Sequence, residues 1–354
     1  MVPQKVAVEH NNKNSDSLVK IEWFISKRCN FHCSYCSKYT HDHTSGFPDL
    51  DTMKSTLDKI MSTTDKRIRL SFTGGEPTIC KHLFDFCKWG KEKYGDRINQ
   101  FSITTNGSRT EKYYVELSKY VNSMIFSYHM EYHDVEKIPD SVYAVHKAGH
   151  LGHLHVHMMM LPTVFDKATK QIDEFRSKGI AVSIRRIRPA HREDTREIRQ
   201  PFDNDRKYNA IELAGTDGRP DYSKDKGYYT DEEVSYLKSL PVSDFKNVIV
   251  HEMDNDYNVT SRETNVNEFT VAKNNQYLNW YCWAGVQSLR IEPNGDVWNA
   301  TCRTKKLGNI YTKFSMLQAP EPCIRNWCSC AADLNTTKVK DQVYADLVRV
   351  SHEL

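Results

Sequence analysis

Residues 21–36 read IEWFISKRCNFHCSYC: an apolar segment typical of a β-strand runs directly into three cysteines in the pattern C-x3-C-x2-C. Three thiolates at this spacing can hold three irons of a cubic 4Fe–4S cluster and leave the fourth iron open to another ligand. Cys29, Cys33 and Cys36 are therefore candidate cluster ligands. The alternatives are chance clustering and a structural zinc loop. Zinc loops usually bring two separated pairs of ligands, and this triplet has no nearby pair.

Length and composition exclude several classes of protein. The chain has 354 residues, 39% hydrophobic and 27% charged, which suits one large domain with a smaller one. A net charge of +3 gives no argument for nucleic acid as an obligate partner. No apolar run reaches membrane-spanning length, and the polar N-terminal residues do not read as a signal peptide. We therefore expect a cytoplasmic protein whose cysteines are metal ligands rather than disulfides: eight of the ten fall into two groups, and Cys80 and Cys87 stand apart.

Strand-like and helix-like segments alternate from residue 20 to about 190. The strand candidates are 21–26, 68–73, 100–105, 123–129, 154–161 and 180–187. Apolar residues at helical spacing lie between them: Met53, Leu57, Ile60 and Met61; Tyr114, Leu117, Tyr120 and Val121; Ile172 and Phe175. Such alternation predicts an α/β fold with a parallel sheet, and six strand–helix units are fewer than the eight of a closed barrel. Cofactor sites in such sheets lie at the carboxyl ends of the strands.

About forty residues after the cysteines, a strand candidate leads into Gly74-Gly75-Glu76-Pro77. Together with the C-x3-C-x2-C loop, this motif resembles the radical S-adenosylmethionine (SAM) superfamily. The resemblance implies a partial (β/α)6 barrel in which a 4Fe–4S cluster on the three cysteines chelates SAM. It also implies that Tyr35 packs on the adenine and that the Gly74–Glu76 strand end receives the methionine amino group. Glycines permit close backbone approach, and Glu76 is an acceptor for an ammonium group.

Three further strand-end residues match the resembled family's SAM contacts. Thr105 ends the third strand candidate and Asn106 follows it directly, and Ser127 ends the next apolar run. A common subfamily has Leu-Asp-Gly after this serine, whereas this chain departs from that pattern with Tyr128-His129-Met130. The simpler interpretation of each residue is a hydrogen-bonded polar group at a strand end.

The segment 153–159, HLHVHMM, places three histidines on one face of a strand by its period of two. We interpret that face as a polar cavity wall or substrate contact, with a metal site as the less favoured alternative. Arginines at 185, 186 and 188 follow on the next strand candidate. They are expected either to grip a carboxylate or phosphate or to be solvated strand ends.

A second cysteine group occupies the last quarter of the chain: Cys282, Cys302, Cys323, Cys328 and Cys330. Alternating residues around Asn294-Gly295 predict a β-hairpin that brings the first two cysteines together. This region resembles the SPASM and Twitch extensions of radical SAM enzymes. Five cysteines suit the shorter Twitch form, which implies one auxiliary iron–sulfur cluster, most simply 4Fe–4S, held by four of the five. A structural zinc is the alternative, because thiols satisfy either metal.

The sequence thus predicts a polar tail at 1–19, the partial barrel at 20–190, a polar elaboration or linker at 191–275 and an auxiliary-cluster domain at 276–354. Within 191–275, Thr230 is expected to cap a helix, and 248–250 and 269–271 are candidate strands. The resemblance implies reductive cleavage of SAM to a 5′-deoxyadenosyl radical that abstracts a substrate hydrogen, with an electron donor such as flavodoxin or ferredoxin.

The identity of the substrate stays open at this point. One hypothesis is oxidation or cross-linking of a peptide or protein, and a second is a small-molecule dehydrogenase or isomerase. A third is an enzyme acting on a nucleotide or nucleic-acid base. A non-enzymatic cluster-binding module is disfavoured by the full set of SAM motifs.

Overall fold

A computed structural model describes residues 4–10, 18–33, 36, 41–130, 132, 137–160, 164–186, 230–239, 248–264, 274–328 and 331–341. The strands are β1 (Gln4–His10), β2 (Leu18–Ser26), β3 (Arg67–Gly74), β4 (Ile98–Thr105), β5 (Ser123–Tyr128), β6 (His153–Met160), β7 (Ala181–Arg186), β8 (Val248–Met253), β9 (Val259–Thr264), β10 (Tyr281–Cys282), β11 (Ser288–Ile291), β12 (Asp296–Trp298), β13 (Lys306–Asn309), β14 (Glu321–Pro322) and β15 (Lys338–Val339). The helices are α1 (Leu50–Thr63), α2 (Leu83–Tyr94), α3 (Glu111–Leu117), α4 (Lys137–Ala148), α5 (Phe165–Ser177), α6 (Asp231–Ser239) and α7 (Ala331–Leu334).

The six predicted strands are confirmed as β2 to β7, with boundaries shifted by up to three residues. They lie side by side in chain order, and every neighbouring pair is parallel. Helices α1 to α5 occupy the connections, as the alternating pattern predicts. Because the strands run the same way, their carboxyl ends share one edge of the sheet, where the first cysteine group and Gly74-Gly75-Glu76-Pro77 begin.

One face of this sheet packs under the helices and forms the main hydrophobic core. In β3, the buried side chains of Ile68, Leu70 and Phe72 alternate with the less buried Arg69 and Ser71. Helix α1 contributes its predicted apolar face to the same core, with Met53, Leu57, Ile60 and Met61 buried. The period of two therefore separates an apolar outer face from a polar inner face along these strands.

The C-terminal hairpin extends this sheet. Strands β11 and β12 are antiparallel around Gly295, whose φ of +85° is the left-handed conformation that a tight turn requires. The hairpin predicted at Asn294-Gly295 is thus confirmed. In addition, β11 pairs in parallel with β2, and the nine-stranded sheet runs β13-β12-β11-β2-β3-β4-β5-β6-β7 without closing. A long-range pairing of this kind leaves no local sequence signal.

A second sheet corrects the expectation of a polar N-terminal tail. Residues Gln4–His10 form β1, which pairs with β8 on one side and β15 on the other. Val6, Ala7 and Val8 are buried, so this segment contributes to a core of its own. The sheet order is β14-β10-β15-β1-β8-β9, and it joins the start of the chain to its last quarter.

The described part of 191–275 contains more regular structure than a linker. Helix α6 begins with the expected cap: Thr230 Oγ1 accepts from Glu233 N at 3.2 Å, and Glu233 Oε2 accepts from Thr230 N at 2.8 Å. The strand expected at 248–250 is confirmed as β8, and β9 pairs with it. The candidate strand at 269–271 lies outside the described residues. Among the described helices, none has the length and hydrophobicity of a membrane span.

Candidate functional site

The first cysteine group lies in a loop that is closed at its base by backbone hydrogen bonds. Cys29 N donates to Asp42 O at 2.7 Å, and Asp42 N donates to Lys27 O at 2.8 Å. Cys36 N donates to Cys33 O at 3.0 Å, which tightens the turn between the last two cysteines. Cys33 is buried, Cys29 is half-buried and Cys36 is exposed. One loop at the end of β2 therefore carries all three thiols.

The Gly-Gly-Glu-Pro corner packs directly against the chain that enters this loop. Gly75 N donates to Ser26 O at 2.9 Å, and Glu76 N donates to Arg28 O at 2.8 Å. A Cβ at Gly75 would lie 2.2 Å from Arg28 O, and one at Gly74 would lie 2.3 Å from Ser26 O. Both glycines are thus required by contact with the neighbouring backbone, a reason that the sequence analysis did not give.

The Glu76 carboxylate is buried in a cage of donors. Its Oε1 accepts from Thr78 N at 2.9 Å and Thr105 Oγ1 at 2.8 Å, and its Oε2 accepts from Asn106 N at 2.5 Å. Burial raises the pKa of Glu76, and these hydrogen bonds oppose that rise. The structure thus places Glu76 and Thr105 in one internal network that ties the end of β3 to the end of β4.

Asn106 connects that network to the cysteine loop. Its Nδ2 donates to Asn30 Oδ1 at 2.9 Å and lies 3.9 Å from Cys29 Sγ. Ser127 is buried on β5, in register with His157 on β6. The predicted SAM contacts Asn106 and Ser127 therefore occupy successive strand ends. Tyr35 lies outside the described residues.

His129 is a residue that the sequence analysis did not select. Its Nδ1 lies 3.4 Å from the Sγ atom of Cys33, directly beyond the end of β5. The signal was present in the sequence, because His129 falls where the chain departs from the Leu-Asp-Gly pattern. Hydrogen bonds to sulfur are among the levers that tune protein-bound iron–sulfur clusters, and the contacts at Cys33 and Cys29 fit such a group.

The histidines of β6 lie on the polar inner face, as predicted. His155 Nε2 lies 2.6 Å from Ser183 Oγ, and His157 Nε2 lies 2.9 Å from a guanidinium nitrogen of Arg185. Burial lowers the pKa of His155 to about 4, and burial together with Arg185 lowers that of His157 well below its usual value. Both imidazoles are therefore neutral near pH 7. The side chain of Arg186 and all of Arg188 lie outside the described residues.

Arg185 is a half-buried cation on β7. Burial lowers its pKa, and among the described residues its hydrogen-bond partner is the neutral imidazole of His157, with no carboxylate in an ion pair. Elsewhere on the inner face, Arg290 is compensated by Glu22 at 2.8 Å and Glu292 at 2.6 Å. An unbalanced charge in such a place is costly, so the arrangement is suited to an anionic ligand.

The second cysteine group surrounds a cavity of about 180 Å³. Four thiols line it: Cys282, Cys302, Cys323 and Cys328. Cys330 lies outside the described residues. Lys338 also lines the cavity and is 1% exposed; its ammonium donates to the carbonyl oxygens of Asp333 at 2.5 Å and Thr336 at 2.9 Å. The sequence predicted that these cysteines converge, but it gave no signal for the buried lysine.

The cavity suits a group larger than one ion. Zinc–sulfur bonds of about 2.3 Å would bring four sulfurs to within about 3.8 Å of one another. In the part of the chain that the structure describes, no three thiols have sulfur atoms that all lie within 4.8 Å of one another. The volume is also many times the roughly 10–15 Å³ that a cavity needs to hold one water molecule. Donor type and spacing both fit an iron–sulfur cluster.

Comparison with known families agrees with the first cysteine site. The family model described as "Radical SAM superfamily" matches residues 23–187. This range begins in β2 and ends just beyond β7, so it takes in the six parallel strands and the first cysteine group. The match supports the radical SAM superfamily for this part of the chain.

Individual curated proteins match this chain over stretches that are shorter than the family match. A GTP 3′,8-cyclase of Rhizobium meliloti (strain 1021) is 32% identical over 99 residues, which cover 26% of this chain and 27% of that protein. The uncharacterized protein MJ0907 of Methanocaldococcus jannaschii is 30% identical over 88 residues, covering 24% of this chain and 29% of that protein. The chain thus spans just over a quarter of the length of these curated relatives.

Two solved structures give the same picture of distant likeness. Native anSMEcpe with bound AdoMet has a TM-score of 0.48 at 14% identity, over 84% of this chain and 79% of that one. Streptococcus suis SuiB bound to precursor peptide SuiA has a TM-score of 0.46 at 13% identity, over 84% and 63% of the two chains.

Proposed function

We propose that this chain, which matches the radical SAM superfamily over residues 23–187, is a radical SAM enzyme that oxidises or otherwise modifies a peptide or a small metabolite. The observation that carries the proposal is the junction between its two motifs. The backbone of Gly75 and Glu76 is hydrogen-bonded to Ser26 and Arg28, immediately before Cys29. This junction brings the strand end of β3 against the loop that carries the three thiols.

Cys29, Cys33 and Cys36 would hold the cluster. Of the residues expected to contact SAM, Gly74, Gly75, Asn106 and Ser127 would do so directly, whereas the buried side chains of Glu76 and Thr105 bond to each other and would position the strand ends. When bound, this pair supplies an electron and a 5′-deoxyadenosyl radical for abstraction of a substrate hydrogen. The caged Glu76 carboxylate fixes the ends of β3 and β4, so that Asn106 keeps its position beside Cys29. An electron donor such as flavodoxin or ferredoxin would be required.

The position of Arg185 favours a substrate that carries an anionic group. Its guanidinium lies beside neutral His157, and Arg185 is two residues along β7 from Ser183, which pairs with His157. His157 in turn pairs with Ser127, which borders the proposed SAM site. A carboxylate or phosphate on the substrate would supply the charge that no described residue provides. This chemistry is shared by peptides, small acids and nucleotides, so it narrows the substrate without selecting among the three.

We propose further that four C-terminal cysteines hold an auxiliary iron–sulfur cluster in a Twitch-like or SPASM-like region. The support is the cavity that Cys282, Cys302, Cys323 and Cys328 line, in which no three of these sulfurs all lie within 4.8 Å of one another. A second redox centre would accept an electron from the substrate, which favours a net oxidation. The alternative is a redox-neutral isomerase or an enzyme that modifies a nucleotide or a nucleic-acid base.

The test replaces Cys29, Cys33 and Cys36 by alanine in one variant and reconstitutes it with iron and sulfide without oxygen. With dithionite as reductant, the variant should form no 5′-deoxyadenosine from SAM, whereas the parent protein should form it. Cys80→Ala is the matched control, because Cys80 is a buried core residue outside both cysteine groups. Formation of 5′-deoxyadenosine by the triple variant would remove the assignment.

A further inference from the structure

Three histidines beside the first cysteine loop converge on one point. His32, His41 and His43 each offer a ring nitrogen, and these three atoms all lie within 4.8 Å of one another. His43 Nε2 and His32 Nδ1 are 2.8 Å apart. The radical SAM assignment uses none of the three imidazoles.

The backbone explains why they meet. Asp42 and Arg28 form an isolated parallel β-bridge. Residues 41–43 therefore lie alongside the start of the cysteine loop. The Asp42 carboxylate turns away and accepts from Thr44 N at 3.1 Å and Ser45 N at 2.8 Å. Its two flanking histidines then face His32, which lies inside the loop between Cys29 and Cys33.

We propose that His32, His41 and His43 form a binding site for a divalent transition-metal ion of the zinc type. Imidazole suits zinc, copper and nickel, whereas magnesium and calcium prefer oxygen ligands. Three nitrogens at 2.0–2.1 Å from a zinc ion would be about 3.3 Å apart, which small side-chain rotations would reach from the present spacing. His32 is exposed and the other two are half-buried, so water can complete the coordination.

The metal would restrain the conformation of the cysteine loop. A metal bound by His32 and by the histidines at 41 and 43 would link the interior of the loop to its base. This link would add to the backbone hydrogen bonds of Cys29 and Asp42 that already close the loop. The ligands are all nitrogen, so this site is chemically distinct from both cysteine groups. The proposal therefore does not depend on the radical SAM assignment.

The experiment uses the full chain, purified without oxygen, reconstituted with iron and sulfide and then titrated with Zn²⁺ alone. Zinc is counted per chain, and X-ray absorption at the zinc edge reports its ligands. We expect one equivalent with nitrogen and oxygen neighbours at about 2.0–2.1 Å. Zinc on cysteines would instead show sulfur at about 2.3 Å, so the two kinds of site are separated whatever the cysteines hold.

His41→Ala and His43→Ala are the decisive variants, because they lie outside the cysteine triplet. Each should weaken zinc binding by roughly 100-fold or more, since even loss of a residue that only orients a metal ligand costs 10- to 100-fold. His146→Ala and His150→Ala, which remove exposed histidines elsewhere, should leave it unchanged. Circular dichroism and iron content report whether each variant is folded. A folded His41→Ala or His43→Ala protein with undiminished zinc binding, or a sulfur-only spectrum, would overturn the proposal.

Discussion

At the scale of single residues, Asn106 connects the two parts of the proposed SAM site. Its side chain bonds to Asn30 in the cysteine loop, and its backbone N–H bonds to the caged Glu76. A side-chain amide at such a junction can both position the loop and contact a ligand. These two roles are separable, because the first affects iron content and the second affects affinity for SAM.

We expect Asn106→Ala and Ser127→Ala each to weaken SAM binding by about tenfold, the effect of losing one hydrogen bond of roughly 1.4 kcal/mol. Iron per chain should stay at the parental level. Equilibrium dialysis of the reconstituted variants measures the affinity directly. Ser102→Ala is the matched control, because Ser102 is a buried serine deeper in the same sheet that bonds to Ser123. Parental affinity in both variants would exclude these residues from the site.

Arg185→Met should separate binding from stability. Removing a half-buried cation that has no described carboxylate partner should leave the melting temperature unchanged or raise it. Inorganic phosphate, used as the probe anion, should raise the melting temperature of the parent and not that of the variant. Arg109→Met, which removes an exposed arginine, should behave like the parent. A large loss of stability in Arg185→Met would show that the guanidinium is structural.

At the scale of elements, the corner after β3 depends on two residues without side chains. Gly75→Ala would place a Cβ 2.2 Å from Arg28 O, a backbone atom that can move only if the entry to the cysteine loop moves. We expect a loss of about 1–3 kcal/mol in the free energy of unfolding, together with reduced iron content. Gly46→Ala, which meets nothing within 4 Å, is the matched control. Denaturant unfolding and iron analysis measure both effects.

Strand β6 should make stability depend on pH. The pKa of His155 is lowered to about 4 in the folded chain, so the unfolded chain binds its proton first as pH falls. This residue's contribution is complete above the ordinary histidine pKa near 6.5 and is lost as pH falls toward 4, by up to about 1.4 kcal/mol per pH unit. His155→Gln should flatten the acid limb of melting temperature against pH. His150→Gln, at an exposed position, should leave it unchanged.

At the scale of the whole molecule, the sequence predicted those elements whose formation depends on residues close together in the chain. The six parallel strands, the cap at Thr230 and the hairpin at Gly295 each rest on periodicity or turn chemistry within a few residues. The pairing of β11 with β2 and of β1 with β15 joins segments about 270 and 330 residues apart, and no local pattern encodes such contacts. The candidate site divides in the same way: the cysteines were evident and His129 was marked only by a departure from a family pattern, whereas Lys338 became a candidate only through the fold.

The second sheet makes the C-terminal cysteines part of the overall architecture. Cys282 lies in β10, which pairs with β15, and β15 pairs with the N-terminal strand β1. The cavity therefore sits where the two ends of the described chain meet. Its buried Lys338 adds a positive charge beside the four thiols, which would stabilise a cluster of net negative charge.

The auxiliary cluster is tested by removing the first cysteine group and then the lysine. In the variant lacking Cys29, Cys33 and Cys36, iron and sulfide should remain at the level of one cluster per chain.

Adding Lys338→Met to that variant should keep the cluster but make its reduction potential more negative, because a nearby positive charge favours the reduced form. Lys305→Met is the matched control, because Lys305 is an exposed lysine paired with Glu321 at the surface. Electron paramagnetic resonance during a redox titration measures the potential. Zinc in place of iron, or an empty cavity, would remove the electron-acceptor role and favour a redox-neutral reaction.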